Sequence, residues 1–243
     1  MHRALAIETS SRIGSVAILE DSRVVAEDEF PHGLQHAAQL VVQIDQLCKA
    51  RGCSPANLQE LYVSVGPGSF TGLRIGITLA KTLAFATGAK IVAVPTVEVL
   101  AQNAPTDATE LLIVLDAKRG QVFTARLARE REGWVEREPA HLDDLPSMLA
   151  RAPRPIWLLG EGIPHHRQFI PEDDSSVSLT SSDLWQPRAA AVAQIGLELA
   201  SRKAFVEPDR LTPLYVRKPE AEEVWEQKHP ETTGPDTEPV NRP

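Results

Sequence analysis

The densest chemistry in this chain lies in Gly66-Pro67-Gly68-Ser69-Phe70-Thr71-Gly72, between a short apolar run, Leu61–Val65, and a segment of helical periodicity. Backbone amides at such a strand-to-helix junction, aided by the helix dipole, can hold an anion such as phosphate. Two nucleotide motifs nevertheless fail on spacing. A P-loop needs lysine directly after its second glycine, and the dinucleotide fingerprint needs a glycine where Thr71 stands. A tight turn that needs glycine for its backbone angles accounts for the loop equally well. Two carboxylates end apolar strand-like runs: Glu8 after Ala4–Ile7 and Asp116 after Leu111–Leu115. Their placement suits a magnesium-bound nucleotide held between two lobes, so an autonomous ATP-binding, kinase-like enzyme or ATPase is the competing reading. Glu8-Thr9-Ser10-Ser11 and Asp116-Ala117-Lys118-Arg119-Gly120 lack glycine-rich turns, however, and both read as degenerate phosphate loops with no tight autonomous nucleotide binding.

Other chemistry-bearing residues carry less. His32 and His36 have the i, i+4 spacing of a helical metal pair, but Gly33 lies between them and no acidic or cysteine ligand is near, so no metal site is expected. His165-His166, beside Pro164, reads as a surface loop, and adjacent side chains diverge rather than converge. Ser69 or Thr71 as a nucleophile would need a positioned general base, which the spacing does not supply. Cys48 and Cys53 read as two reduced thiols. No cofactor is expected.

The elements that position these residues follow from periodicity. Ala4–Ile7, Ile13–Leu19 and Val24–Phe30 read as a strand and hairpin; Leu34–Lys49 and Gly72–Thr87 read as helices; Ile91–Val94 is a further strand, followed by a short helix from Pro95 to Leu100. After the linker-like Asn103–Asp107, strand, acidic residue, turn and second strand recur at 111–127, which predicts two similar halves. A helix near Asp143–Arg151, a strand Ile156–Leu159 and a helix Pro187–Lys203 complete the second. The expected division is an N-terminal lobe 1–105, a C-terminal lobe 106–218, and a polar tail 219–243 that cannot bury enough apolar surface to fold. The chain has 25 Lys and Arg against 33 Asp and Glu, a net charge of −8, so no broad positive field exists to grip a nucleic acid unaided. Its apolar runs are far shorter than the roughly 20 residues of a membrane span, and no secretory leader is visible, which predicts a cytoplasmic protein.

Gly72, Gly76, Ala80, Ala84 and Gly88 recur every four residues and leave one face of the second helix almost without side chains. Each interior glycine costs about 0.5–1 kcal/mol relative to alanine, so close packing must return that energy, against either an internal element or another subunit. On this reading Leu73, Ile77 and Leu83, with Phe85 and Lys81, supply the opposite, sheet-facing side.

The run Val65–Gly76, with Ala80-Lys81 after it, closely resembles the signature of the bacterial TsaB (YeaZ) family. Ile7-Glu8-Thr9-Ser10, His36, Asp116–Gly120, Gly160-Glu161-Gly162 and Pro213–Arg217 extend the resemblance over residues 4 to 217. It implies an actin-like, Hsp70-like (ASKHA) α/β fold of two ribonuclease-H-like lobes with mixed sheets flanked by helices. Gly160 and Gly162 would join Glu8, Thr9, Ser10, Gly66, Gly68, Ser69 and Asp116 in its degenerate phosphate loops. The implied role is that of a non-catalytic subunit for N6-threonylcarbamoylation of the adenosine following the anticodon, in tRNAs reading codons that start with A. Its partners would be the catalytic paralogue TsaD and the ATPase TsaE, with tRNA met only through the complex and a homodimer in isolation. The paralogue's metal-holding histidine pair corresponds to Val94–Ala101, which contains no histidine. The resemblance also points to a subunit interface made by the two first-lobe helices, with His36 and Leu40 on one and Gly72, Arg74, Gly76, Ala80 and Ala84 on the other.

Overall fold

The computed structural model describes residues 1–31 and 36–216. Arg3–Glu8 (β1), Ile13–Glu20 (β2) and Arg23–Pro31 (β3) form an antiparallel meander, and β1 also pairs in parallel with Glu60–Gly66 (β4), which pairs in parallel with Lys90–Pro95 (β5). In the second half Glu110–Asp116 (β6), Val122–Glu130 (β7) and Gly133–Asp143 (β8) repeat the meander, with Ile156–Leu159 (β9) parallel to β6 and Val177–Leu179 (β10) parallel to β9. The strand orders are β3-β2-β1-β4-β5 and, read from the other edge, β8-β7-β6-β9-β10. Each half is thus the same mixed sheet, and the fold is the actin-like pair of ribonuclease-H-like lobes.

The helices are His36–Ala50 (α1), Phe70–Thr87 (α2), Thr96–Ala101 (α3), Leu145–Arg151 (α4) and Ala189–Ser201 (α5). Strand alternation assigns the two faces of the first sheet. Leu5, Ile7, Leu61 and Val63 pack with Leu40 and Ile44 of α1 and Ile77, Ala80 and Ala84 of α2. The opposite face carries Ala4, Ala6, Ala17 and Tyr62, and α5 lies on it through Ala189, Val192, Ala193 and Ile195. Alanines on both surfaces let helix and sheet approach closely. A Cβ at Gly196 of α5 would lie 2.3 Å from the Tyr62 ring.

That packing corrects the extent expected of the C-terminal lobe, 106–218, whose last part lies on the first sheet. The linker into the second lobe falls between α3 and β6, but the chain returns: α5 covers the first sheet, Val206 bridges Ile91, and Leu211 enters the first core. The first sheet is buried on both faces, and its own segments cover only one, so a late segment must supply the other cover. The return is held by capping across the chain. Arg188 offers no side-chain cap to α5; instead Ser15 Oγ accepts from Ala189 N at 2.8 Å and Glu27 Oε1 accepts from Ala190 N at 2.9 Å. Asn103 ties both inter-lobe crossings together by donating to the carbonyls of Leu184 (3.0 Å) and Gln186 (2.7 Å). The expected tail, 219–243, lies outside the described residues.

Candidate functional site

A cleft of about 760 Å³ opens between the lobes. Its first-lobe wall is the β1–β2 turn, Ser10–Arg12, with the glycine loop Pro67–Thr71; its second-lobe wall includes Asp116–Arg119 and Glu161; Leu214–Val216 edge it. Of the residues expected in the phosphate loops, Ser10, Gly68, Ser69 and Asp116 line this cleft, whereas Glu8, Thr9, Gly66, Gly160 and Gly162 do not.

The loops are bound to each other. Ser69 N donates to Ser10 O at 2.7 Å, Gly72 N to Ser69 Oγ at 3.2 Å, and Leu73 N to Ser69 O at 2.9 Å. Three of the amides at the start of α2, those of Ser69, Gly72 and Leu73, are thus committed within the chain rather than open to a phosphate. Glu8 is fully buried rather than facing the cleft. Its Oε1 accepts from Ser10 N at 2.5 Å, and Oε2 lacks a hydrogen-bond partner among the described residues. Burial raises the Glu8 pKa, against the opposing pull of the Ser10 hydrogen bonds, and so favours the neutral acid. Beside it Ser64 Oγ and Thr96 Oγ1 lie 2.7 Å apart, and Thr96 Oγ1 accepts from Gly66 N at 3.1 Å, a closed polar seam under the loop.

Asp116 stays at the cleft. Its Oδ1 accepts from Lys118 N at 3.2 Å, in a turn where Lys118 and Arg119 adopt φ of 60° and 54°, a left-handed conformation that costs side-chain-bearing residues energy. Gly160 and Gly162 pack beneath it, Gly162 N donating to Val114 O at 3.0 Å. His166 corrects the surface-loop expectation: it is 2% exposed, with Nε2 3.5 Å from Asp116 Oδ1, whereas His165 is exposed. The turn Ile163–Phe169 folds this one ring inward, which the adjacent-residue divergence allowed but did not locate.

The interface residues need a larger correction. A Cβ on Gly72 would lie 1.9 Å from Thr9 O, and one on Gly76 would lie 2.4 Å from Thr9 Oγ1. Ala80, Ala84 and Leu40 are buried in the same core. The small-residue face of α2 therefore seats the helix on β1 and the Thr9 turn, which is the internal reading of the groove, and it is not open to a subunit. Arg74 is exposed, and His36 opens α1. Phe85, expected to face the sheet, is 92% exposed, and Val41 and Val42 are 53% and 52% exposed. On α2 Thr71, Arg74, Thr78, Thr82 and Phe85 are exposed and form a stripe at spacings of three and four, with Ala86 exposed beside it. That spacing was visible in the sequence; which stripe faced outward was not. Cys48 is buried and unreactive, its thiol pushed up to about 12 chiefly by burial. His32 lies outside the described residues.

The family described as TsaD: tRNA N6-adenosine threonylcarbamoyltransferase matches residues 33–225. The Bacillus subtilis (strain 168) "tRNA threonylcarbamoyladenosine biosynthesis protein TsaB" is 33% identical, covering 91% of this chain and 96% of its own. The chain belongs to the TsaB (YeaZ) family. The Escherichia coli K12 protein of the same name is 28% identical over 88% of this chain and 94% of its own. Among solved structures, "YeaZ from Pseudomonas aeruginosa" superposes with a TM-score of 0.76 at 23% identity, covering 88% of this chain and 100% of that one, which shows the shared fold.

Proposed function

We propose that this protein serves threonylcarbamoyladenosine biosynthesis as a non-catalytic subunit that binds and supports a TsaD-like transferase, together with a TsaE-like ATPase. The carrying observation is the closed glycine loop: Ser69 N is held by Ser10 O at 2.7 Å, while the nearby acid, Glu8, is buried and biased to its neutral form. A magnesium-nucleotide site needs ionised carboxylate and open amides at these positions, so the geometry disfavours the kinase-like alternative. At Val94–Ala101, where resemblance puts the transferase's histidines, the buried residues are Val94, Thr96, Val97, Val99, Leu100 and Ala101. None can ligate a metal as imidazole does.

What remains for binding is the outer face of α1 and α2. Phe85, Val41 and Val42 expose apolar surface there, and Arg74 stands on the same side of α2. Because the transferase family's own description matches this chain, a paralogue of like fold can present corresponding helices, and a second copy of this chain can do so when the paralogue is absent. Transfer RNA is met through the complex, consistent with the net charge of −8. Depletion followed by nucleoside mass spectrometry tests the pathway: threonylcarbamoyladenosine is expected to disappear, and unchanged levels refute the assignment. The isolated chain should transfer no threonylcarbamoyl group, and added paralogue should restore transfer.

A further inference from the structure

We propose that Arg74 is a preorganised carboxylate receptor on the docking face, and that Tyr215 and Phe70 are the residues that hold it ready. This deepens the proposed docking of a transferase paralogue on α1 and α2 and rests on that reading.

An exposed arginine on a helix samples many rotamers, and fixing it on binding opposes association. Arg74 is already fixed. Its Nε donates to Tyr215 Oη at 2.8 Å, and its guanidinium carbon sits 3.8 Å from the Phe70 ring centroid and 5.8 Å from that of Tyr215. The two rings are themselves in contact, with centroids 5.0 Å apart and planes tilted by 30°. Phe70 and Arg74 are one helical turn apart on α2, so their contact is local. Tyr215 comes from the far end of the chain. It is delivered by the returning segment, in which Leu211 is buried in the first core and Leu214 N donates to Val65 O at 2.7 Å. Thus 141 residues separate the partners of the Arg74–Tyr215 bond.

The contacts engage Nε and the face of the guanidinium. Among the described residues Arg74 meets Tyr215 and Phe70 and no acid, which leaves the terminal nitrogens of the fork to a planar, two-oxygen acceptor. Charge supports the choice of ligand. Arg74 and Lys81 are the charged residues of α2, both basic, in a chain whose net charge is −8. An arginine stacked and bonded in this way, flanked by neutral Thr71 and Thr78, fits a glutamate or aspartate side chain presented by the partner.

The test measures affinity of the full chain for the purified transferase paralogue by calorimetry, at low and high salt, for Arg74→Lys, Tyr215→Phe and Phe85→Asp, each checked by melting. Arg74→Lys keeps the charge but loses the fork and is expected to weaken binding about tenfold or more. Tyr215→Phe keeps the ring stack and loses the 2.8 Å bond, and about a two- to tenfold loss is expected. Both variants should melt as the wild type does. Wild-type affinity for Arg74→Lys overturns the carboxylate receptor; weak binding by Arg74→Lys with wild-type affinity for Tyr215→Phe overturns the positioning role. If Phe85→Asp binds normally, docking on this face is itself wrong. If Phe85→Asp abolishes binding while the other two bind normally, the docking reading stands and this inference fails.

Discussion

Replacing Gly76 and Gly72 with alanine separates a helix seated on its own sheet from one built for a partner. Alanine is the better helix former by about 0.5–1 kcal/mol, so on an open face either change would stabilise the protein. In this fold the new methyl at Gly76 would lie 2.4 Å from Thr9 Oγ1 and 3.5 Å from Ile7 Cγ2, and at Gly72 it would lie 1.9 Å from the Thr9 carbonyl oxygen. Overpacking of this kind costs about 1–3 kcal/mol, so after the helix gain Gly76→Ala should destabilise by roughly 0.5–2 kcal/mol. Gly72→Ala should cost more, because a backbone carbonyl cannot rotate away as a hydroxyl can. A second substitution makes the test specific. Thr9→Ala deletes the hydroxyl but leaves the carbonyl, so it should rescue Gly76→Ala, with a coupling energy of about 1 kcal/mol, and leave Gly72→Ala unrescued. Urea unfolding followed by far-ultraviolet circular dichroism reads all the variants of the cycle. If Gly76→Ala proves more stable than wild type, or if Thr9→Ala rescues both glycines alike, the internal seating of α2 is refuted.

Phe85→Asp should leave stability within about 0.5 kcal/mol of wild type, since the ring is 92% exposed, while abolishing pairing on size-exclusion chromatography. Glu8→Gln should change the pH dependence of melting. With the folded pKa raised above the unfolded value, wild-type Glu8 is least unfavourable below pH 4.5 and loses stability as pH rises from there through its folded pKa, so the melting advantage of Glu8→Gln should grow with pH over that interval. Ser15→Ala removes the acceptor of Ala189 N and should cost about 0.5–2 kcal/mol, with amide exchange accelerating in the first turn of α5, 174 residues away.

Much of the site was legible from local order along the chain. Apolar runs ending in an acid placed Glu8 and Asp116 at the ends of β1 and β6, and the repeated strand-turn-strand pattern anticipated two sheets of matching order. Gly66–Gly72 marked the strand-to-helix turn; that Ser69 caps α2 and that Gly88, at φ 77°, ends it came from the structure. These features depend on short-range forces, namely backbone sterics, capping and a period of two or 3.6 residues. Two strands escaped because the signal was absent: β8 is a largely exposed edge rich in Glu and Arg, and β10 has three residues. Tertiary structure alone decided which stripe of α2 turned inward. The stripe Gly72-Gly76-Ala80-Ala84 and the stripe Arg74-Thr78-Thr82-Phe85 both have helical spacing, and the choice was made by Thr9 and Ile7, more than 60 residues earlier in the chain. It also decided that α5 caps on Ser15 and Glu27, that His166 is buried beside Asp116, and that Tyr215 reaches Arg74. Each of these is a contact between segments remote in sequence, and burial is a property of what covers a side chain, which periodicity cannot specify.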